Sequence, residues 1–277
     1  MNKKILLCGL PASGKTTLLA ALWHLLSQKD IPTALSLASL PQQRDYLSEL
    51  SRKWSRFIPF GRTSDEVHEI SMRLTDETID IDFHVPDMSG ETWEAIWSTR
   101  FCSEAAAKWA NAASGILLCI HVDKIRTPVD IMTCNAMANS AGRTRTETEP
   151  TIWSPDSSPT QVILVDVLQV LARPPLGNSG RRLAIILSAW DKAEAMNLSP
   201  EGYFQVHLPL LHQFLSYCND FSEINIYGVS ALGGDLESEE DAKRVKAEDV
   251  PSRRIKVVED GKTHHDLTVP MKWLMTS

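Results

Sequence analysis

Residues 9–16, Gly9-Leu10-Pro11-Ala12-Ser13-Gly14-Lys15-Thr16, fit the pattern G-x-x-x-x-G-K-[ST], and no other feature narrows the fold of this chain as far. The pattern does chemistry only between an apolar strand and a helix. Gly9 and Gly14 let the backbone wrap tightly, so that the N–H groups around Ala12 and Ser13 converge on a phosphate at a helix N-terminus. Lys15 is placed to bridge β- and γ-phosphates, the Thr16 hydroxyl to ligate Mg²⁺, and Thr17 follows in the same phosphate-binding set. The context is right: Lys4–Cys8 reads as a short buried strand, and Leu18, Leu19, Leu22, Leu25 and Leu26 recur at helical spacing over Thr16–Ser27. Met1–Cys8 briefly resembles the start of a secretory signal. Its apolar stretch is too short and Ser13–Thr16 breaks it, so a first strand is the better reading.

Beyond this point strand-like and helix-like segments alternate, the mark of an α/β fold with a largely parallel sheet. Residues 35–61 form a variable, partly helical stretch containing Trp54, Phe57 and Phe60. Glu66–Leu74 and Thr78–Val85, around Asp76-Glu77, alternate with period two and predict an antiparallel hairpin. Ile79, Ile81, Phe83 and Val85 then face inward and Asp80, Asp82 and His84 outward. Helices are expected over Glu91–Ala113, Thr160–Arg173 and Glu201–Cys218, and buried strands over Gly115–Val122, Arg182–Ser188 and Glu223–Val229. Residues 124–159, rich in Thr, Ser and Pro, read as an insertion loop carrying Arg143 and Arg145. The mixed-charge segment Asp235–Arg254 reads as a solvated loop. Ile255–Glu259 and Lys262–Val269 flank Asp260-Gly261, a two-residue hairpin signal that opposes Glu259 to Lys262. With 277 residues and no internal repeat, one domain over 1–277 is expected, with an insertion at 124–159 and a C-terminal extension at 235–277.

Composition excludes several classes. A net charge of −7 argues against a nucleic-acid binder with a broad basic face. The longest apolar run, Ile116–Val122, is interrupted by His121 and falls far short of the roughly 20 residues of a membrane helix, so no membrane partner is expected. Five cysteines with no CxxC pair read as reduced thiols of a cytoplasmic protein. His264-His265 reads as a surface pair, and Asp80 with Asp82 as a solvated strand face rather than a metal site.

The glycine-rich loop alone leaves GTPases, ATPases and small-molecule kinases open, and three further motifs narrow the choice. Asp87-Met88-Ser89-Gly90, a D-x-x-G, closes the second hairpin strand, where Asp87 would hold a Mg²⁺-bound water and the Gly90 N–H would meet the γ-phosphate. Thr63, with Ser64 beside it, stands where a first-switch threonine closes over the metal. Arg62 either reaches the γ-phosphate or, more plainly, stays in solvent. Ser188-Ala189-Trp190-Asp191 ends a buried strand where GTPases carry [NT]-K-x-D, whose Asp accepts from guanine N1–H and the exocyclic amine. Ser replaces Asn and Ala replaces Lys, which leaves Trp190 or Lys192 to cover the base. Val229-Ser230-Ala231-Leu232 matches the S-A-x element whose Ala N–H donates to guanine O6.

With these pieces in place the chain resembles Ras-like P-loop GTPases, the TRAFAC class, over most of its length. The resemblance implies a three-layer α/β fold with a mostly parallel sheet, one antiparallel edge hairpin and a C-terminal β-hairpin. A closer likeness is to the bacterial double-GTPase family, carried by Gly9–Thr17, Asp87–Glu91, Pro159–Asp166, Leu187–Asp191, Tyr227–Ala231 and the tail Leu267–Leu274. In that family Ser-Ala-Trp-Asp replaces the usual base motif. The resemblance implies GTP or GDP with Mg²⁺ held by Thr16, Thr63 and Asp87, and catalysis through Lys15, Thr63 and Glu91. It also implies a protein partner, a second GTPase or effector, in a bacterial conflict or antiphage system. Glu91 occupies the place of a water-orienting glutamine, and a carboxylate beside a γ-phosphate adds repulsion, so turnover is expected to be slow or partner-stimulated. Glu91 is equally well explained as a helix N-terminal charge. The other classes are a non-catalytic guanine-nucleotide-binding assembly module and, less favoured for want of a lid arginine cluster, a P-loop ATPase or kinase.

Overall fold

The computed structural model describes residues 3–60, 69–85, 90–128, 131–140 and 154–276. β1 (Lys3–Cys8) leads through the glycine-rich loop into α1 (Lys15–Gln28). β2 (Ser36–Ser39), α2 (Arg44–Ser55), β3 (Ile70–Thr75) and β4 (Asp80–Val85) follow, then α3 (Glu91–Thr99), α4 (Glu104–Ala112), β5 (Gly115–His121) and α5 (Ile131–Ser140). The chain continues through α6 (Thr160–Leu171), β6 (Arg181–Ser188), α7 (Pro200–His207), α8 (Pro209–Tyr217) and β7 (Phe221–Ser230). It ends with α9 (Glu239–Lys246), β8 (Lys256–Glu259), β9 (Lys262–His264) and α10 (Val269–Met275).

The described strands form one sheet in the order β2-β3-β4-β1-β5-β6-β7-β8-β9. β4, β1, β5, β6 and β7 run parallel; β3 and β2 extend one edge antiparallel, and the C-terminal hairpin β8–β9 extends the other. Strand alternation splits the apolar residues between two faces. Ile5 and Leu7 pack with α1, α2 and α10, while Leu6 and Cys8 pack with α3, α6, α7 and α8. Covering both faces explains why the central strands read as continuous apolar runs. Burial pushes the Cys119 thiol up to about 12 and raises Cys8 as well, so both behave as core residues.

Several boundaries differ from the expected ones. His84 does point away from Phe83, as alternation demands, but that side is covered. Its ring lies 4.0 Å from Trp109 of α4, and the residue is 6% exposed. The helix expected over Glu91–Ala113 is two helices. Arg100 turns left-handed (φ 57°), and Ser103 caps a new start by accepting from the Ala106 N–H at 3.2 Å. Pro209 likewise splits the helix expected over Glu201–Cys218, because proline brings no N–H and crowds the preceding turn. The insertion carries α5, and the charged segment carries α9. In α9 the capping residue Ser238, the acidic first turn and the basic last turn all suit the helix dipole. The second strand of the C-terminal hairpin stops at His264. Glu259 faces Lys262 across the turn, but its carboxylate accepts from Asn225 Nδ2 at 2.8 Å. Of the two histidines His265 is exposed, as expected, and His264 is half-buried. His265 Nδ1 donates to the Ile255 carbonyl at 2.6 Å, and His264 Nδ1 accepts from the Asp266 N–H at 3.2 Å.

One buried charge ties the α3–α8 side together. Arg181, at the start of β6, donates from Nη1 to the Ala110 carbonyl at 2.7 Å and from Nη2 to the Leu171 carbonyl, so one guanidinium serves the ends of α4 and α6. The Leu171 carbonyl is one that a helix C-terminus leaves unpaired, the Ala110 carbonyl also accepts from the Ala113 N–H at 3.4 Å, and the helix dipole favours a cation at both. Arg181→Met keeps the bulk and strands the Leu171 carbonyl. Urea denaturation should show a loss of about 3 kcal/mol, the order expected for charged hydrogen bonds to buried groups.

Candidate functional site

Three chain segments meet at the glycine-rich loop. Gly14 caps α1 with φ 91°, and a Cβ there would come to 2.7 Å from Ser188 Oγ. Ser188, ending β6, donates its hydroxyl to the Ser13 carbonyl at 2.7 Å and so fixes the loop from the sheet. Gly90, one residue before α3, has φ 84°, and a Cβ there would lie 2.5 Å from Lys15 Nζ and 2.6 Å from the Gly9 carbonyl. Of the D-x-x-G motif, then, the glycine rests directly against the loop. Asp87 lies outside the described residues, as do Thr63, Arg62, Ser64, Arg143 and Arg145.

Lys15 is 2% exposed, with Nζ donating to the Gly9 carbonyl at 2.8 Å, the Leu10 carbonyl at 3.1 Å and Ser13 Oγ at 3.4 Å. Its charge is thereby held at the mouth of α1, where backbone N–H groups and the helix dipole favour an anion. Thr16 and Thr17 follow on the first turn, both half-buried. Among the described residues no three His, Cys, Asp or Glu side chains gather as a metal site. Mg²⁺ held mainly by phosphates and water needs only one or two protein oxygens, and Thr16, in the first turn of α1, carries a hydroxyl that suits that chemistry. Glu91 is exposed in the first turn of α3.

Along the loop from Lys15 lies a cavity of about 250 Å³, bordered by Thr17, Ser188, Asp191, Lys192, Ala231 and Leu232. The two strand-end motifs therefore come together across one space. The Ser230 hydroxyl donates to Asp191 Oδ1 and accepts from the Gly233 N–H at 3.1 Å, and the Asp191 backbone N–H donates to the same carboxylate, which together fix its orientation. Burial pushes the Asp191 carboxyl above the usual carboxylate range; Asp235 and Glu194 add to the rise, and the Ser230 hydroxyl opposes it.

Trp190 does not cover this cavity. It is 3% exposed, stands edge-on to Tyr203 with centroids 5.6 Å apart, and lies so close to Gly228 that a Cβ there would be 2.5 Å from the indole. Consecutive residues of the turn face opposite ways, and the large apolar ring takes the core. Lys192 stands at the cavity instead, its ammonium 3.4 Å from both Asp123 and Asp235. His121 borders this cavity and also a second one of about 360 Å³ beside Leu10 and Pro11. Its only trace in the sequence was the polar break it makes in the apolar run of β5.

Among solved structures the chain is similar to the Trypanosoma brucei small GTPase Arl6 (BBS3) with the nucleotide analogue GppNp, at 12% identity over 89% of this chain and 96% of that one, TM-score 0.39. It is similar to the bacterial selenocysteine-specific elongation factor EF-Sec at 12% identity, over 88% of this chain and 29% of that one, TM-score 0.36. The GTPase-like domain of S. cerevisiae Ski7 bound to GTP matches at 15% identity, over 87% of this chain and 45% of that one, TM-score 0.37. The chain thus spans less than half the length of the latter two. No curated protein matches it. The family model described as Double-GTPase 1 matches residues 6–274. With a P-loop GTPase fold and a match over nearly its whole length, the chain belongs to the double-GTPase 1 family and is a GTP-binding protein.

Proposed function

We propose that the chain is a Mg²⁺-dependent guanine-nucleotide switch, built as one domain, that hydrolyses GTP slowly or on stimulation by a protein partner. The observation that carries this reading is the Asp191–Ser230 pair beside a cavity continuous with the Lys15 loop. A half-buried carboxylate, with two lone pairs on each oxygen, can take the two adjacent donors of a guanine edge beside the Ser230 hydroxyl, and it opposes the lone pair that adenine presents at N1. The backbone around Ser13, with Gly14, Lys15 and Gly90, holds the phosphates. Thr16, with Thr63 and Asp87, holds the metal, which when bound neutralises phosphate charge. Ser188, Asp191, Ala231 and Leu232 form the base side. Glu91 orients the attacking water, and its own charge beside the γ-phosphate keeps the unassisted rate low. The partner is a second GTPase or an effector, a reading that the double-GTPase family description supports, and the setting a bacterial conflict or antiphage system. Among the described residues no helix is long and apolar enough to cross a membrane.

The second reading, a non-catalytic module that uses GTP and GDP to set assembly, is favoured by the place of Glu91, since the first turn of a helix stabilises an acidic residue without any catalytic role. Glu91→Ala separates the two. Under the switch reading single-turnover hydrolysis falls on the order of a hundredfold with GTP affinity intact; under the other, wild type shows no turnover that Lys15→Ala abolishes.

Calorimetry tests the base pocket. With Mg²⁺, wild type should bind GDP and discriminate against ADP, while Asp191→Asn loses GDP and gains xanthosine diphosphate. Equal affinity for ADP and GDP would end the guanine reading. The raised carboxyl sets a pH dependence as well. Asp191 must be ionised to accept from guanine, so GDP affinity is full above its pKa in the free protein and falls as pH drops through it. Because that pKa is raised, the fall begins at higher pH than an ordinary aspartate would set. A GDP titration series at descending pH should show this inflection, and Asp191→Asn should lack it.

A further inference from the structure

The base side of the cavity is braced from a helix that neither strand-end motif includes. Trp54 lies in the last turn of α2, is 1% exposed, and donates its indole N–H to the Ala231 carbonyl at 2.9 Å. In a trans peptide the C=O and the following N–H point in opposite directions. With the Ala231 carbonyl turned to Trp54, the Leu232 N–H is turned away from it. Ala231 and Leu232 border the cavity, and Trp54 does not.

The brace is itself fixed from two directions. His24 of α1 packs on the Trp54 ring, with centroids 4.8 Å apart, and its Nδ1 is 3.1 Å from Ser51 Oγ of α2. Arg254 donates from Nη1 to the Ser55 carbonyl at 3.1 Å and covers the Phe57 ring at 4.6 Å. The Arg254 carbonyl lies directly beneath Gly233, where a Cβ would approach to 2.1 Å. The segment from Ser230 to Gly233 is thus gripped between the end of α2 and the turn at 251–254. That segment has little freedom to reorient its peptides, and the Trp54 indole is the donor that sets the 231–232 plane.

We propose that Trp54 is a positioning residue of the base pocket: its indole N–H orients the 231–232 peptide, and thereby sets discrimination between purines carrying oxygen at C6 and those carrying an amine. This inference rests on the guanine reading above. It adds the Leu232 N–H, as a second donor on the O6 side, to the Ala231 N–H of the S-A-x element, opposite the Asp191 side that reads N1–H and the exocyclic amine; Ser230 joins the two sides.

The test is calorimetric titration of the full chain with GDP, IDP and ADP, each with Mg²⁺, for wild type and Trp54→Phe. The variant keeps an aromatic ring in the core, deletes the donor and leaves a smaller side chain, whose packing loss acts on all three nucleotides alike. IDP keeps O6 and lacks the exocyclic amine. The expected result is a rise in the dissociation constants of GDP and IDP by the same factor, about tenfold relative to that of ADP, since one buried carbonyl is left unpaired and one contact is misaligned. A purely structural Trp54 would lower the melting temperature and leave the GDP-to-ADP ratio unmoved below it. An unchanged ratio, whether all three nucleotides shift together or none does, overturns the proposal while the guanine reading stands. A wild type that does not prefer GDP to ADP overturns both.

Should Trp54→Phe fail to fold, hydrogen exchange of the Trp54 indole N–H in wild type decides. Slowing by GDP about tenfold beyond that of the buried Trp93 indole supports the proposal, because general stabilisation by a bound ligand slows both indoles alike, and equal slowing of the two overturns it. Equal exchange with and without GDP overturns it.

Discussion

A lysine ammonium buried at the start of a helix is the constraint around which this structure is arranged. Lys15 cannot be desolvated without acceptors, and the chain supplies them from the carbonyls of Gly9 and Leu10. Those carbonyls reach Nζ only if the loop curls back over the N-terminus of α1, and the curl leaves no space for side chains where neighbouring segments cross it. Gly14 against Ser188 and Gly90 against Lys15 are such crossings. Each forces a strand end to the same place, which a central β1 flanked in parallel by β4 and β5 makes possible. The sheet order therefore serves the loop, and the Ser188–Ser13 bond carries the constraint outward to β6 and the base side.

The parts legible in the sequence are those whose residue types are fixed by local chemistry. The glycine-rich loop, the parallel core strands and the two strand-end motifs fall where spacing placed them, because each needs its own residues at adjacent positions. Features set by distant packing were not legible. The face of His84 follows alternation, but its burial comes from Trp109, twenty-five residues on in a helix whose start depends on the Ser103 cap. The break at Arg100 has no proline or glycine to announce it. α9 was hidden for another reason: its balanced charges look like a solvated loop until the Ser238 cap is read together with the acid-first, base-last order. Trp54 stood out only as a large residue in a variable stretch, since its partner, a backbone carbonyl, leaves no mark in composition.

The altered base motif is intelligible once the directions of its side chains are known. A lysine in place of Ala189 would extend its stem along the cavity; here that position holds a methyl group in left-handed backbone, φ 54°. Rigidity comes from beneath instead. Trp190 lies on Gly228 of β7 and meets Tyr203, whose hydroxyl donates to the Val122 carbonyl at 3.1 Å. The turn is thereby riveted to β7 and to the end of β5 through aromatic packing, which a lysine stem would not provide. The positive charge at the cavity moves to Lys192, whose contacts with Asp123 and Asp235 join the end of β5 to the loop after β7. Asp235 also raises the Asp191 carboxyl, so the carboxylate that anchors Lys192 acts at the same time on the residue proposed to read the base. Under the proposed guanine reading, a donor pair at Asp191 would offset what burial and its acidic neighbours do to that carboxylate.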